Sequence, residues 1–257
     1  MLFYAAAALP QNLWERLVRL SKQENNTKLA MLSAWGSTET SPLATSVHFQ
    51  MERAGVIGLP VAQCELKLVP AAGKLEVRVR GPNVTPGYYK RPDLTKAAFD
   101  EEGFYRIGDA VRFADPADPA QGIVFDGRVA EDFKLSTGTW VHAGALRVKL
   151  IAASDSLIQD AVITGHDRTE VGALVFLSPA ARDADVRKKL SEVLNRLGDE
   201  AGSSMRITRL LVMTEPPSID ANEITDKGYI NQRAVLERRA ADVERLYSGD
   251  AGVISAS

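Results

Sequence analysis

A single cysteine, Cys64, stands among the 257 residues, so no internal disulfide can form. That fits a reducing compartment, and a cytoplasmic setting is expected. An excess of charge of one sign is missing too. Thirty-one Lys and Arg face 33 Asp and Glu, for a net charge of −2. So balanced a chain lacks the basic field that nonspecific nucleic-acid binding needs. No apolar run approaches the roughly 18 residues that a membrane helix requires. The apolar start, Met1–Leu9, has no basic flank and no cleavage site, so it is not expected to be a signal peptide. His48, His142 and His166 are isolated and show no metal-ligand spacing. No G-x-S-x-G elbow and no G-x-G-x-x-G occurs. Gly73-Lys74 lacks the flanking residues of a Walker A loop, and Pro116 and Pro119 break an EF-hand pattern.

What is present is ordinary for a globular chain. Forty-five per cent of the residues are hydrophobic and 25% charged, which excludes a disordered or collagenous chain. Leu2-Phe3-Tyr4 reads as the end of a buried strand. With Met1 beside a strand, the chain is expected to be the tail of something longer. After Pro10, Leu13, Leu17 and Leu20, with Trp14 and Val18 beside them, have helical spacing. Leu29–Ala34 reads as a strand that runs into the hydroxyl-rich loop Trp35–Pro42. From Gly55 the period becomes two. Cys64, Leu66 and Leu68 alternate with Glu65 and Lys67, and Leu75, Val77 and Val79 alternate with Glu76, Arg78 and Arg80, around a Gly73 turn. That is a hairpin. Residues 43–126 therefore read as a small, mostly antiparallel, barrel-like β unit.

The second half alternates strands with helices: a hairpin about Ser136–Thr139, a helix at Ala145–Ala153, strands at Leu157–Thr164 and Val171–Leu177, a helix at Asp183–Leu197 and a strand at Arg206–Met213. Asn231 is placed to cap a last helix with the stripe Leu236, Ala240, Val243 and Tyr247, and Gly249–Ser257 reads as a frayed tail. The fold class is α+β.

Four segments carry more than pattern. They are Trp35-Gly36-Ser37-Thr38-Glu39, Tyr105-Arg106-Ile107-Gly108-Asp109, Asp126-Gly127-Arg128 through Lys134 to Gly138, and Ile224-Thr225-Asp226-Lys227-Gly228. In this order and spacing the chain resembles the adenylate-forming (ANL) superfamily of acyl-CoA synthetases, adenylation domains and luciferases. Phe125–Val141 and Glu215–Asn231 look most like feruloyl-CoA synthases. The resemblance covers the C-terminal part of such an enzyme. It implies a C-terminal remnant of the large AMP-binding domain at 1–126, a hinge at 127–131 and a small mobile α+β domain at 132–257. The family's Ser/Thr/Gly-rich phosphate loop does not occur in this sequence, so the chain alone is expected to be inactive.

The resemblance also implies roles. Trp35 lies against adenine, with the backbone about Ala7 on its other side; the ordinary reading of Trp35 is a core residue at a strand end. Thr38 meets a phosphate and Glu39 a Mg²⁺, while Gly36 and Ser37 line the acyl end. Asp109 accepts hydrogen bonds from the ribose, and Arg128 reaches the same sugar. Gly138 borders the pantetheine tunnel of coenzyme A, though a hairpin glycine is the plainer account. Lys227 is the adenylation cation, though most lysines before a glycine are simply solvated. The function implied is an ATP-dependent acid–CoA ligase acting through an acyl-AMP, with ATP, Mg²⁺ and coenzyme A. Its acid would be an aromatic carboxylate, a hydroxycinnamate such as ferulate. A ligase for another aryl or fatty acid, a noncatalytic nucleotide-binding or interaction module, and a product without function stay open.

Overall fold

A computed structural model describes residues 1–5, 9, 11–26, 29–179, 181, 185–199, 206–225 and 228–256. The chain divides into two compact units, Met1–Val129 and Ala130–Ser257.

The first unit is built on strands β1 (Leu2–Ala5), β2 (Met31–Trp35), β3 (Thr45–Ser46), β4 (Val56–Pro60), β5 (Glu65–Ala71), β6 (Lys74–Arg80), β7 (Tyr105–Phe113) and β8 (Ile123–Arg128), with helices α1 (Gln11–Asn25) and α2 (Pro92–Ala98). The eight strands form one sheet in the order β1-β2-β3-β4-β8-β7-β6-β5. Only β1 and β2 run parallel. The expected hairpin is β5–β6, paired from Glu65↔Arg80 to Ala71↔Lys74. The barrel-like unit is corrected: β1 and β5 are free edges, so the sheet is open. The strand at the start is corrected as well. As an edge strand β1 is only half covered, and Phe3 is exposed. Helix α1 turns a different face inward from the Leu13–Leu20 stripe. Trp14, the largest side chain, is buried among Met31, Val47 and Met51, and Leu17 and Val18 follow it at i+3 and i+4, leaving Leu13 and Leu20 exposed. A second cluster on the sheet joins Trp35, Ile57, Val77, Val79, Tyr105, Ile107 and Val111.

The second unit opens with the short hairpin β9 (Phe133–Lys134) and β10 (Trp140–Val141). It continues through α3 (Ala143–Ala153), β11 (Ile158–Thr164), β12 (Val171–Leu177), α4 (Val186–Asp199), β13 (Ile207–Val212), α5 (Gln232–Arg238), α6 (Ala240–Tyr247) and β14 (Ile254–Ser255). Its sheet has the order β11-β12-β13-β14, with β12 and β13 parallel. Ala161, Ile163, Ala173 and Val175 face Leu146, Leu150, Leu190 and Leu194 of α3 and α4. The alternate residues Val162, Leu174 and Leu211 meet Val235 and Leu246 of α5 and α6. Both faces are covered, which is why Ala161–Ile163 and Ala173–Phe176 are unbroken apolar runs rather than alternating ones.

Two expectations are corrected here. The last helix is two, broken at Arg239, whose backbone (φ −100°, ψ 33°) leaves the helical region. Its start is as expected, with Asn231 Oδ1 accepting from Ala234 N at 3.3 Å. The tail is not frayed as far as Ala256: Val253 and Ile254 are buried, and β14 pairs with β13, while Ser257 lies outside the described residues.

Candidate nucleotide-binding site

In the first unit the register of β7 and β8 sets Asp109 directly across from Arg128. Arg128 Nη1 donates to Asp109 Oδ1 at 3.0 Å. The indole of Trp35, at the end of β2, donates from Nε1 to Asp109 Oδ2 at 2.8 Å. Three strands thus deliver one hydrogen-bonded triad. Asp109 is 6% exposed. Burial pushes its carboxyl above the ordinary aspartate value, against the charge of Arg128 and the bonds from Trp35 and Arg128. An ionised carboxylate accepts about four hydrogen bonds, and two are made here. Trp35 is also the core residue of its ordinary reading, packed in the Val77–Tyr105 cluster.

The loop after β2 shows why Trp35-Gly36-Ser37-Thr38-Glu39 has its order. A Cβ on Gly36 would lie 2.4 Å from the Pro42 carbonyl oxygen, so only glycine lets the loop fold back here. Thr38–Thr40 is a 3₁₀ turn. Buried Thr40 fastens it: its Oγ1 accepts from Ser37 N at 2.9 Å and donates to Ser37 O at 3.1 Å. Thr38 is left exposed and Glu39 half-buried. Thr85 N donates to the Glu39 carbonyl at 2.7 Å. Tyr88 OH donates to Glu39 Oε1 at 3.0 Å and lies 3.3 Å from Tyr105 OH. Burial raises the Glu39 carboxyl, but its own N–H and the nearby hydroxyls of Ser37, Tyr88 and Tyr105 outweigh it and hold it below the usual glutamate value, Tyr88 through the hydrogen bond just described. Burial pushes the Tyr105 phenol well up, with the Tyr88 hydrogen bond and the Glu39 charge adding to it. Tyr88 was missed by sequence reasoning, because nothing in Gly87-Tyr88-Tyr89 points 49 residues back to Glu39. Tyr105 belongs to a recognised segment but had no role.

One charged carboxylate beside an exposed hydroxyl fits Mg²⁺, which usually takes one or two carboxylates and completes its shell with phosphates and water. It does not fit an all-protein cage. Among the described residues no group of three or more His, Cys, Asp or Glu could hold a metal ion.

In the second unit Gly138 closes the β9–β10 turn. Its N–H donates to Leu135 O at 2.9 Å, and its φ is +81°. An added Cβ would meet nothing within 4 Å, so the turn requires glycine while the space beside it is open. Lys134 Nζ lies 5.0 Å from the centre of the Trp140 ring. Lys227 and Ala7 fall outside the described residues. The residues flanking Lys227 form a narrow hairpin neck: Ile224 bridges Ile230, Thr225 N donates to Tyr229 O at 2.8 Å, and Gly228 N donates to Thr225 O at 2.9 Å.

Residues 1–89 match the family model described as AMP-binding enzyme, and residues 133–251 match the one described as AMP-binding enzyme C-terminal domain. The chain carries AMP-binding (ANL superfamily) domains. It is 29% identical over 246 residues to the probable acyl-activating enzyme 16, chloroplastic, of Arabidopsis thaliana, covering 84% of this chain and 34% of that protein. It is 28% identical over 209 residues to a long-chain-fatty-acid–CoA ligase of Yersinia pestis, covering 70% of this chain and 37% of that protein. The A domain of a carboxylic acid reductase from Segniliparus rugosus, solved with AMP and a co-purified carboxylic acid, superposes with a TM-score of 0.73 at 23% identity, over 96% of this chain and 39% of that one. The anthranilate CoA ligase AuaEII with anthranoyl-AMP gives 0.69 at 22%, over 93% and 44%. These two likenesses establish the fold: the chain has the architecture of the C-terminal portion of ANL adenylation domains. It spans 34% and 37% of the lengths of these two curated relatives. Among the described residues no helix is long and apolar enough to cross a membrane.

Proposed function

We propose that these residues serve an ATP-dependent acid–CoA ligase of the feruloyl-CoA synthase type, with a hydroxycinnamate as the acid. The Trp35–Asp109–Arg128 triad carries this reading. It sets an indole, a buried carboxylate and a half-exposed cation side by side. In the reaction a carboxylate oxygen of the acid attacks the α-phosphorus of ATP. The bond to the β-phosphate oxygen breaks, giving acyl-AMP and pyrophosphate. The thiol sulfur of coenzyme A then attacks the acyl carbon, the bond to AMP breaks, and the thiol proton is lost to solvent.

Asp109 and Arg128 hold the ribose in this reading, and Trp35 meets the adenine. Thr38 meets a phosphate oxygen, and Glu39 takes Mg²⁺, which when bound offsets phosphate charge. Tyr88 and Tyr105 orient the Glu39 carboxylate. Lys227 stands between the attacking carboxylate and the α-phosphate as a point charge. Gly138 leaves the thiol arm room to pass. The hinge is proposed at 127–131, between the AMP-binding remnant and the mobile small domain, which would turn between the half-reactions.

The hydroxycinnamate is supported by the likeness of Phe125–Val141 and Glu215–Asn231 to feruloyl-CoA synthases. A long-chain fatty acid is the second reading, supported by the names of relatives such as the Yersinia pestis ligase. A full-length ligase ending in this chain, given ATP and coenzyme A with either ferulate or palmitate, decides between them. Pyrophosphate and feruloyl-CoA are expected from ferulate. Turnover of palmitate alone selects the second reading, and no pyrophosphate from any carboxylate refutes both.

A further inference from the structure

Among the described residues of 213–231 in the second unit there is no helix or strand, yet a charged group lies among them with no exposure at all. The Glu223 side chain is 0% exposed. Its carboxylate accepts four hydrogen bonds: from Arg239 Nε at 2.7 Å and Nη2 at 2.9 Å, from Arg238 Nη1 at 2.8 Å, and from Ser218 N at 2.8 Å. The Arg239 guanidinium is also buried. It donates onward to the carbonyls of Glu215 at 3.0 Å and Pro216 at 2.9 Å, and lies 5.2 Å from the centre of the Phe176 ring on β12. One ion pair therefore fastens the start of the loop and its middle to the junction of α5 and α6. From Glu223 the fastening continues outward: Asn231 N donates to Glu223 O at 2.8 Å, and the Ile224–Ile230 bridge and the Thr225–Tyr229 bond complete the neck.

A buried pair of this kind is a poor device for stability alone, because desolvation offsets most of its attraction and apolar residues serve as well. What apolar packing cannot supply is direction. A bidentate fork and four acceptor bonds fix the backbone of an irregular segment in one geometry. The hairpin whose neck is fixed this way has Asp226 and Lys227 at its tip in sequence.

We infer that Glu223 and Arg239 are positioning residues, a buried clamp that fixes the backbone of 223–225 and 228–231, on either side of Asp226 and Lys227, and acts through it on adenylation by Lys227. The inference rests on the reading of Lys227 given under the proposed function. The clamp acts on the backbone, so it can be tested apart from that reading.

The first measurement is amide hydrogen exchange on the 257-residue chain. Glu223→Gln keeps the shape and removes the charge. Exchange at Thr225, Gly228, Tyr229 and Asn231 should accelerate about tenfold or more, while β11 and β12 stay within about twofold. Arg238→Ala, which removes only the outer and half-exposed arm, should accelerate the same amides about threefold and keeps the test valid if the first variant folds poorly. Unchanged hairpin amides, or equal acceleration across the whole unit, overturn the clamp.

The second measurement is a double-mutant cycle in a full-length ligase ending in this chain. Glu223→Gln should slow adenylation by about a hundredfold through misplacement. It should leave conversion of preformed acyl-AMP to the CoA ester within about twofold and add little to Lys227→Ala. Additive losses overturn action through Lys227. A harmless Lys227→Ala together with accelerated hairpin exchange overturns the role of the lysine and leaves the clamp standing.

Discussion

Replacing Asp109 by Asn separates binding from folding, because the two are expected to move differently. The Asp109 carboxylate is buried, and that burial raises its pKa despite Arg128 and Trp35. The linkage sign follows from this. The folded state binds the proton more tightly than the unfolded state, so stability falls as pH rises from the ordinary aspartate value through the raised one, and stays at that lower level above it. Asn removes that penalty. Its carbonyl can keep the 2.8 Å bond from Trp35 Nε1. What is lost is the contact with Arg128, whose side chain is 53% exposed and can turn to water. Such an exposed partner is worth about 0–1 kcal/mol. The melting temperature at neutral pH should therefore change by no more than about 2–4 °C. AMP binding should suffer more. A hydrogen bond from a ribose hydroxyl to a charged carboxylate is worth about 1.5–3 kcal/mol, or about 10- to 150-fold in affinity. Calorimetric titration of AMP, with melting curves from pH 4 to 8, measures both. If AMP affinity stays within about threefold while the protein melts far lower, Asp109 is only a buried partner for Trp35 and Arg128, and the ribose assignment is wrong.

Four further outcomes are expected. Lys227→Ala in a full-length ligase should slow adenylation by about 10²–10³ and spare the thioester step, as for other electrostatic stabilisers; pyrophosphate exchange and CoA-ester formation, assayed on one preparation, check it. Gly138→Trp should block the thioester step more than adenylation, with Gly138→Ala as the control for the strain of a side chain at φ +81°; equal loss of both steps would leave Gly138 a turn glycine. Residues 130–256, expressed alone, should melt cooperatively, because both faces of their sheet are covered from within the unit. In that same unit the Arg239 hydrogen bonds hold Glu223 at about 2, so its stabilising contribution is complete above the ordinary glutamate value and should fade as pH falls through the range from there towards 2. Acid melts of the native unit against Glu223→Gln should converge at the low end of that window.

The sequence by itself determined whatever is decided within a few residues. Alternation marks the β5–β6 hairpin, because neighbouring side chains on a strand point to opposite faces. Asn231 marks the start of α5, because a cap acts on the next turn. The apolar runs at Leu157–Thr164 and Val171–Leu177 mark β11 and β12 as strands. Trp35, Glu39, Asp109 and Arg128 were singled out through the resemblance of their segments to the adenylate-forming superfamily. Tertiary structure alone decided which of them meet. Asp109 faces Arg128 through strand register, Trp35 reaches Asp109 across 74 residues, and Tyr88 reaches Glu39 across 49. The open sheet, the inward face of α1 and the docking of Ile254 onto β13 belong to the same class. Glu223 and Arg239 read as surface charges in any window of sequence. Only the folding back of residues 215–223 onto the α5–α6 junction buries them together. The physical reason is common to all of these. Local propensity is set by the chain's own neighbours, whereas desolvation and long-range hydrogen bonds exist only once distant segments have packed.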